Sequence, residues 1–133
     1  METKSVLIVD DETSILVPLQ FLMERSGFQV RLAQSGKDAL ISISEKRPDV
    51  ILLDIMLPDL DGYEIFQMIR ENSAWDDIKI IFLTAKTSDL DIARGLNLGV
   101  DAYITKPFSN KELLGTVWSV LMGEGTALDQ NKR

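Results

Sequence analysis

Asp10 and Asp11, Asp54, Thr84 and Lys106 all follow short runs of apolar, largely β-branched residues. If those runs are strands whose ends meet, three carboxylates, a hydroxyl and an ammonium share one small volume. Taken singly, a polar residue at such a place need do no more than cap the following helix. Taken together, the carboxylates repel one another by roughly 4 kcal/mol per pair at 4 Å and an effective dielectric of 20, which caps alone would not justify. A hard divalent cation with oxygen ligands removes that repulsion, and Mg²⁺ takes one or two carboxylates, several waters and a phosphate oxygen. A carboxylate can also attack phosphorus without prior deprotonation, so such a site needs no general base. The expected chemistry is therefore Mg²⁺-assisted phosphoryl transfer.

The elements that must position these residues are legible in the hydropathy pattern. Five runs, Val6–Val9, Gln29–Ala33, Val50–Leu53, Ile78–Leu83 and Val100–Ile104, have the composition of strands. The first, third and fourth are almost continuously apolar, as in a parallel sheet covered on both faces. Helical stripes lie between and after them: Ile15, Leu19, Leu22 and Met23; Ala39, Leu40 and Ile43; Ile65, Phe66 and Ile69; and Leu113, Val117 and Leu121 with Leu114 and Trp118. Gly27, Pro48, Asn72, Ser73 and Gly99 punctuate the pattern. It predicts an α/β fold, (βα)5, with a doubly wound five-stranded parallel sheet. Ligands bind such sheets at the carboxyl ends of the strands, where Asp10, Asp11, Asp54, Thr84 and Lys106 stand. The second run ends blandly in Gln34-Ser35. Pro18 falls inside the first helix and predicts a kink or a later helix start.

Composition narrows the function further. The 133 residues carry 14 Lys+Arg against 21 Asp+Glu, a formal charge of −7, and contain neither Cys nor His. Disulfides, thiolate nucleophiles, Zn–Cys sites, Ser-His-Asp triads and phosphohistidine are thereby excluded. The acidic balance and scattered basic residues argue against nucleic-acid binding. The polar start Met1-Glu2-Thr3-Lys4 is unlike a signal peptide, and no run approaches the roughly 18 apolar residues of a spanning helix. The expectation is one cytoplasmic domain over residues 1–122, followed by a polar tail or linker stub at 123–133.

Five segments together resemble the response-regulator receiver domains of two-component signalling, a CheY-like, flavodoxin-like family. They are Val6-Leu7-Ile8-Val9-Asp10-Asp11-Glu12, Asp49-Val50-Ile51-Leu52-Leu53-Asp54, Met56-Leu57-Pro58-Asp59-Leu60-Asp61-Gly62, Leu83-Thr84-Ala85 and Tyr103-Ile104-Thr105-Lys106-Pro107-Phe108. Each is weak alone, but five in order are specific, and the likeness runs from about Lys4 to Met122. It implies that Asp54 accepts a phosphoryl group from the phosphohistidine of a sensor histidine kinase or histidine phosphotransfer protein. It implies that Asp10, Asp11, Asp54 and the Met56 carbonyl hold Mg²⁺, and that Thr84 and Lys106 bind the phosphoryl oxygens. A cis Lys106–Pro107 bond is implied too. So is a switch in which Thr84 moves inward and Tyr103 follows, altering a face made of the fourth helix, the fifth strand and the fifth helix. A homodimer through that face is an expected response. Met56 and Lys86, two positions after Asp54 and Thr84, would flank the path of an attacking water and set the phosphoryl lifetime.

Rival readings are weaker. Gly36-Lys37 lacks the earlier glycine and the Ser/Thr of a P-loop. An EF-hand centred on Gly62 would place Leu57 and Met68 where ligands belong. Gly123-Glu124-Gly125 lacks the third glycine of a dinucleotide motif. The run Asp59 to Asp61 reads as a turn and cap for the third helix. A haloacid-dehalogenase-like phosphatase would need an Asp where Met56 stands. A degenerate receiver, docking without phosphate, would not keep all of Asp10, Asp11, Asp54, Thr84 and Lys106.

Overall fold

A computed structural model describes residues 3–123. Its strands are β1 (Ser5–Val9), β2 (Gln29–Ala33), β3 (Val50–Leu53), β4 (Lys79–Thr84) and β5 (Ala102–Thr105), and its helices α1 (Thr13–Arg25), α2 (Gly36–Glu45), α3 (Gly62–Arg70), α4 (Asp89–Asn97) and α5 (Asn110–Leu121). The strands form one parallel sheet in the order β2-β1-β3-β4-β5. The order reverses between β1 and β3, and that switch point opens the crevice where Asp10 and Asp54 meet.

Alternation along the strands splits the core into two layers. Leu7, Val9, Ile51, Leu53, Ile80 and Phe82 face α2, α3 and Tyr103, whereas Val6, Ile8, Val50, Leu52, Ile81 and Leu83 face α1 and α5. Both faces of β1 and β3 are fully buried, as their apolar runs require. The expected stripes supply part of each buried face: Leu19 and Met23 of α1, Ala39 and Ile43 of α2, Ile65, Phe66 and Ile69 of α3, and Leu113 and Val117 of α5. Leu16, Tyr63, Thr116, Ser119 and Val120 are buried outside them, and Trp118 is exposed. No such stripe marks α4, whose one buried residue is Gly95.

Strand bounds differ from expectation in β1, which starts one residue earlier at Ser5, and at both ends of β4 and β5. Strand β4 ends on Thr84 itself, and β5 starts only at Ala102, because Asp101 is spent on the connection, where its carboxylate accepts from the Ile80 amide at 2.8 Å. Helix α1 begins at Thr13, well before Pro18, so the later start does not occur and Pro18 is held within the helix. Apart from Gly123, the expected tail lies outside the described residues. Among the described residues no helix is long and apolar enough to cross a membrane.

Candidate functional site

The strand ends bring the expected residues together around one ammonium. Lys106 Nζ lies 2.6 Å from Asp10 Oδ2 and 3.1 Å from Asp54 Oδ2. Both carboxylates are buried, as is Thr84. Their other oxygens close tight local turns: Asp10 Oδ1 accepts from the Glu12 amide at 3.0 Å, and Asp54 Oδ1 from the Met56 amide at 3.1 Å. Thr84 Oγ1 accepts from the Lys86 amide at 3.4 Å. The Lys106 amide in turn donates to the Thr84 carbonyl at 2.8 Å, joining the ends of β4 and β5. The Lys106–Pro107 bond is cis.

Asp11 and Glu12 are exposed and stand beside Asp10, with carboxylate oxygens of the three within 4.8 Å of one another. Glu12 entered the sequence reading only as part of a motif, yet it enlarges the acidic cluster. Burial pushes the Asp10 carboxyl above its ordinary value, even though Lys106 and the Glu12 amide pull it down. Burial alone would lower Lys106, but its hydrogen bond to Asp10 and the charges of Asp54 and Asp10 outweigh that and hold the ammonium above its usual value. Asp10, Asp11 and Asp54 against one ammonium leave two negative charges unbalanced. Every unspent donor is a hard oxygen, so the set fits a hard divalent cation and not a soft one.

The loop from Ile55 to Asp61 carries Met56 and is fixed at three points. Gly62 donates to the Ile55 carbonyl at 2.8 Å, and a Cβ at Gly62 would lie 2.7 Å from Ile55 Cα and 2.9 Å from the Asp54 carbonyl oxygen. Asp61 and Glu64 form a reciprocal capping box on α3, with bonds of 2.9 and 3.1 Å. Asp59 does not belong to that cap: its carboxylate accepts from the Gly36 and Lys37 amides at 2.8 and 2.9 Å, at the start of α2. The sequence assigned the whole run Asp59 to Asp61 to α3, and spacing alone could not reveal a partner more than twenty residues away. These bonds, that from Lys37 first, hold Asp59 below the usual carboxylate range.

Tyr103 is half-buried, its hydroxyl donating to the Lys86 carbonyl at 2.7 Å and its ring meeting Phe82 edge-on at 6.0 Å. Gly95 makes room for it, since a Cβ there would come within 2.8 and 2.9 Å of the ring. The expected switch residue is thus tied to the backbone of an expected lifetime residue. Met56 is exposed and Lys86 half-buried, and both line a cleft of about 450 Å³ that opens beside Asp11. Phe108 packs against the α1 and α5 layer, whereas Trp118, 40% exposed, stacks at 4.9 Å on Phe28.

A doubly wound sheet with a half-buried lysine bridging two strand-end aspartates defines a class. The chain belongs to the response regulator receiver domains, whose family model matches residues 6–117. It is 44% identical over 118 residues to the alkaline phosphatase synthesis transcriptional regulatory protein PhoP of Bacillus subtilis, a match that covers 89% of this chain and 48% of that protein. The chain therefore spans about half the length of that relative. A CheY-like receiver domain protein from Methanospirillum hungatei superposes with a TM-score of 0.84 at 32% identity, covering 92% of this chain and 96% of that one. The chemotaxis response regulator CheY4 of Vibrio cholerae gives 0.84 at 31%, over 90% and 99%. The beryllofluoride-activated DrrB receiver domain gives 0.81 at 34%, over 91% and 99%.

Proposed function

We propose that this receiver unit, residues 1–122, takes a phosphoryl group on Asp54 from the phosphohistidine of a sensor histidine kinase or histidine phosphotransfer protein. The observation that carries the reading is the Lys106 ammonium in contact with both Asp54 and Asp10, beside unbalanced carboxylate charge. Asp10, Asp11, Asp54 and the Met56 carbonyl would hold Mg²⁺, which when bound supplies charge neutralisation for the transferring group. Asp54 Oδ attacks phosphorus as the P–N bond to the donor histidine breaks. Lys106 offers a fixed positive charge to the phosphoryl oxygens, and Thr84 is drawn to them as a hydroxyl donor. The domain thereby promotes its own phosphorylation and dephosphorylation and turns over no other substrate. A phosphatase of the haloacid-dehalogenase type is disfavoured by Met56, an exposed thioether where an acid is required. Purified protein given acetyl phosphate and Mg²⁺ should gain one phosphoryl mass and lose that gain when the metal is chelated first.

Lys106→Ala is expected to leave Mg²⁺ binding, measured by titration calorimetry, largely intact while abolishing the phosphorylation-dependent response of the α4-β5-α5 face. Asp10 and Asp54 remain as oxygen donors once the ammonium is gone, but nothing then reports phosphoryl charge to the end of β5. A large loss of metal affinity would instead make Lys106 an organiser of the metal site.

The phosphoryl lifetime should depend on Met56 and Lys86. Met56 is apolar and flexible and covers without offering water a hydrogen bond, while Lys86 reaches the same path as a point charge. Met56→Asn combined with Lys86→Ala should speed loss of phosphoryl several-fold after donor removal, with Mg²⁺ affinity barely changed. A decay equal to or slower than wild type would show that neither side chain gates water.

Phosphoryl on Asp54 would reposition Thr84 and Tyr103 and so alter the α4-β5-α5 face, making a homodimer through it. Sedimentation with the beryllofluoride mimic should shift the protein to dimer, and a monomer at high concentration in both states would leave only docking to a different partner. PhoP is by name a transcriptional regulator; a transcriptional output attached to this cytoplasmic, phosphate-switched unit is the reading we favour for the longer protein.

A further inference from the structure

Asp59 ties the loop between β3 and α3 to the start of α2. Its Oδ1 accepts from the Gly36 amide at 2.8 Å and its Oδ2 from the Lys37 amide at 2.9 Å. Helix α2 also has a local cap, since Ser35 Oγ accepts from the Asp38 amide at 3.1 Å and the Ser35 carbonyl from the Ala39 amide at 3.0 Å. The four amides that open the helix are therefore all spent, two of them on a residue of another element. The two segments meet without slack: a Cβ at Gly36 would lie 2.9 Å from Leu60 Cβ and 2.8 Å from Ile65 Cδ1. Helix α2 is in turn fixed in the core by Ala39 and Ile43, each 1% exposed.

That anchor bears on Met56, three residues earlier in the loop. Both ends of the loop are pinned, because Ile55 is buried and its carbonyl accepts from the Gly62 amide at 2.8 Å. Between them the Met56 side chain is 56% exposed and gives its own backbone little to rest on. The Met56 amide reaches Asp54 Oδ1 at 3.1 Å, and Pro58, with its φ locked, stiffens the path from there to Asp59. We infer that Asp59 is a positioning residue of the metal site, which by gripping the start of α2 keeps the Met56 amide and carbonyl aligned with Asp54. The inference rests on the proposed Mg²⁺ set of Asp10, Asp11, Asp54 and the Met56 carbonyl. Both oxygens of Asp59 are engaged at α2, so it adds no ligand; it sets where a ligand stands. Helix α2 thereby becomes part of the support of a site to which it contributes no donor.

The test compares Mg²⁺ affinity, by titration calorimetry, in wild type, Asp59→Ala and Asp59→Asn at about 0.15 M KCl. Asp59→Ala should bind roughly tenfold more weakly, with every proposed ligand still present. Asp59→Asn keeps one acceptor oxygen for the α2 amides and should lie between the two, although it has lost the same charge. In metal-free protein the Met56 amide should exchange with solvent several-fold faster in Asp59→Ala than in wild type, and less so in Asp59→Asn. A residue that merely caps α2 would change the melting temperature and leave both readouts at the wild-type value, which overturns the inference. Equal weakening in the two variants would mean that only the charge of Asp59 acts, and overturns it as well. Wild type that binds no Mg²⁺ overturns the metal set and the inference together, whereas wild-type binding indifferent to Asp59 overturns the inference alone. Circular dichroism melting establishes that each variant is folded at the titration temperature.

Discussion

Asp54→Asn should reduce phosphoryl incorporation from acetyl phosphate to background while leaving the fold in place. The amide is nearly isosteric with the carboxylate, and its oxygen can still accept from the Met56 amide as Asp54 does at 3.1 Å. It cannot supply the anionic oxygen that attacks phosphorus, and it also removes one negative charge from the oxygen set around Lys106. Asp10, held 2.6 Å from Lys106 and 2% exposed, is not a ready substitute. Intact-mass measurement is the readout. A phosphoryl adduct of undiminished yield on the variant would place the acceptor elsewhere and sink the assignment.

Gly62→Ala carries the second large expectation, and it acts through backbone alone. The added Cβ would stand 2.7 Å from Ile55 Cα and 2.9 Å from the Asp54 carbonyl oxygen, neither of which is the far end of a flexible side chain. The start of α3 or the end of β3 must shift. Overpacking of this kind costs about 1–3 kcal/mol. The shift falls on the peptide next to Asp54, so labelling and Mg²⁺ affinity should drop along with thermal stability. A variant that melts and labels like wild type would show that α3 can retreat without disturbing the strand end. Gly115→Ala is the natural control, since nothing lies within 4 Å of a Cβ there.

The sequence made the rim of the site readable because apolar strands of a covered parallel sheet end abruptly. Asp10, Asp54 and Thr84 are the first polar residues after such runs, and a parallel sheet must bring those ends to one edge. Lys106 was readable for the same reason, although its pairing with Asp10 as well as Asp54 was not, since which oxygens an ammonium chooses depends on rotamers and burial. Asp59 shows another limit: local turn logic placed it on α3, whereas the fold spends it on α2. Helix α4 was read from position and family likeness, for want of an apolar stripe. Its packing depends on the missing side chain of Gly95, and an absence leaves no periodic signal. The stacking of Arg94 on Tyr63, 3.8 Å from Cζ to the ring centroid, was invisible for a related reason, because the two residues lie on different helices.

The thin attachment of α4 has an energetic meaning of its own. An element joined to its sheet through one buried glycine, the ring of Tyr103 and the partly buried Leu96 has less apolar surface to lose on detaching than the helices with buried stripes. Its local opening should therefore cost less free energy than unfolding the sheet, which would show as faster amide exchange in α4 than in β1 and β3. A single charged group arriving at Asp54 has no need to deform the tightly packed β1 and β3. On the proposed function, it would have only to shift the population of the lightly packed α4.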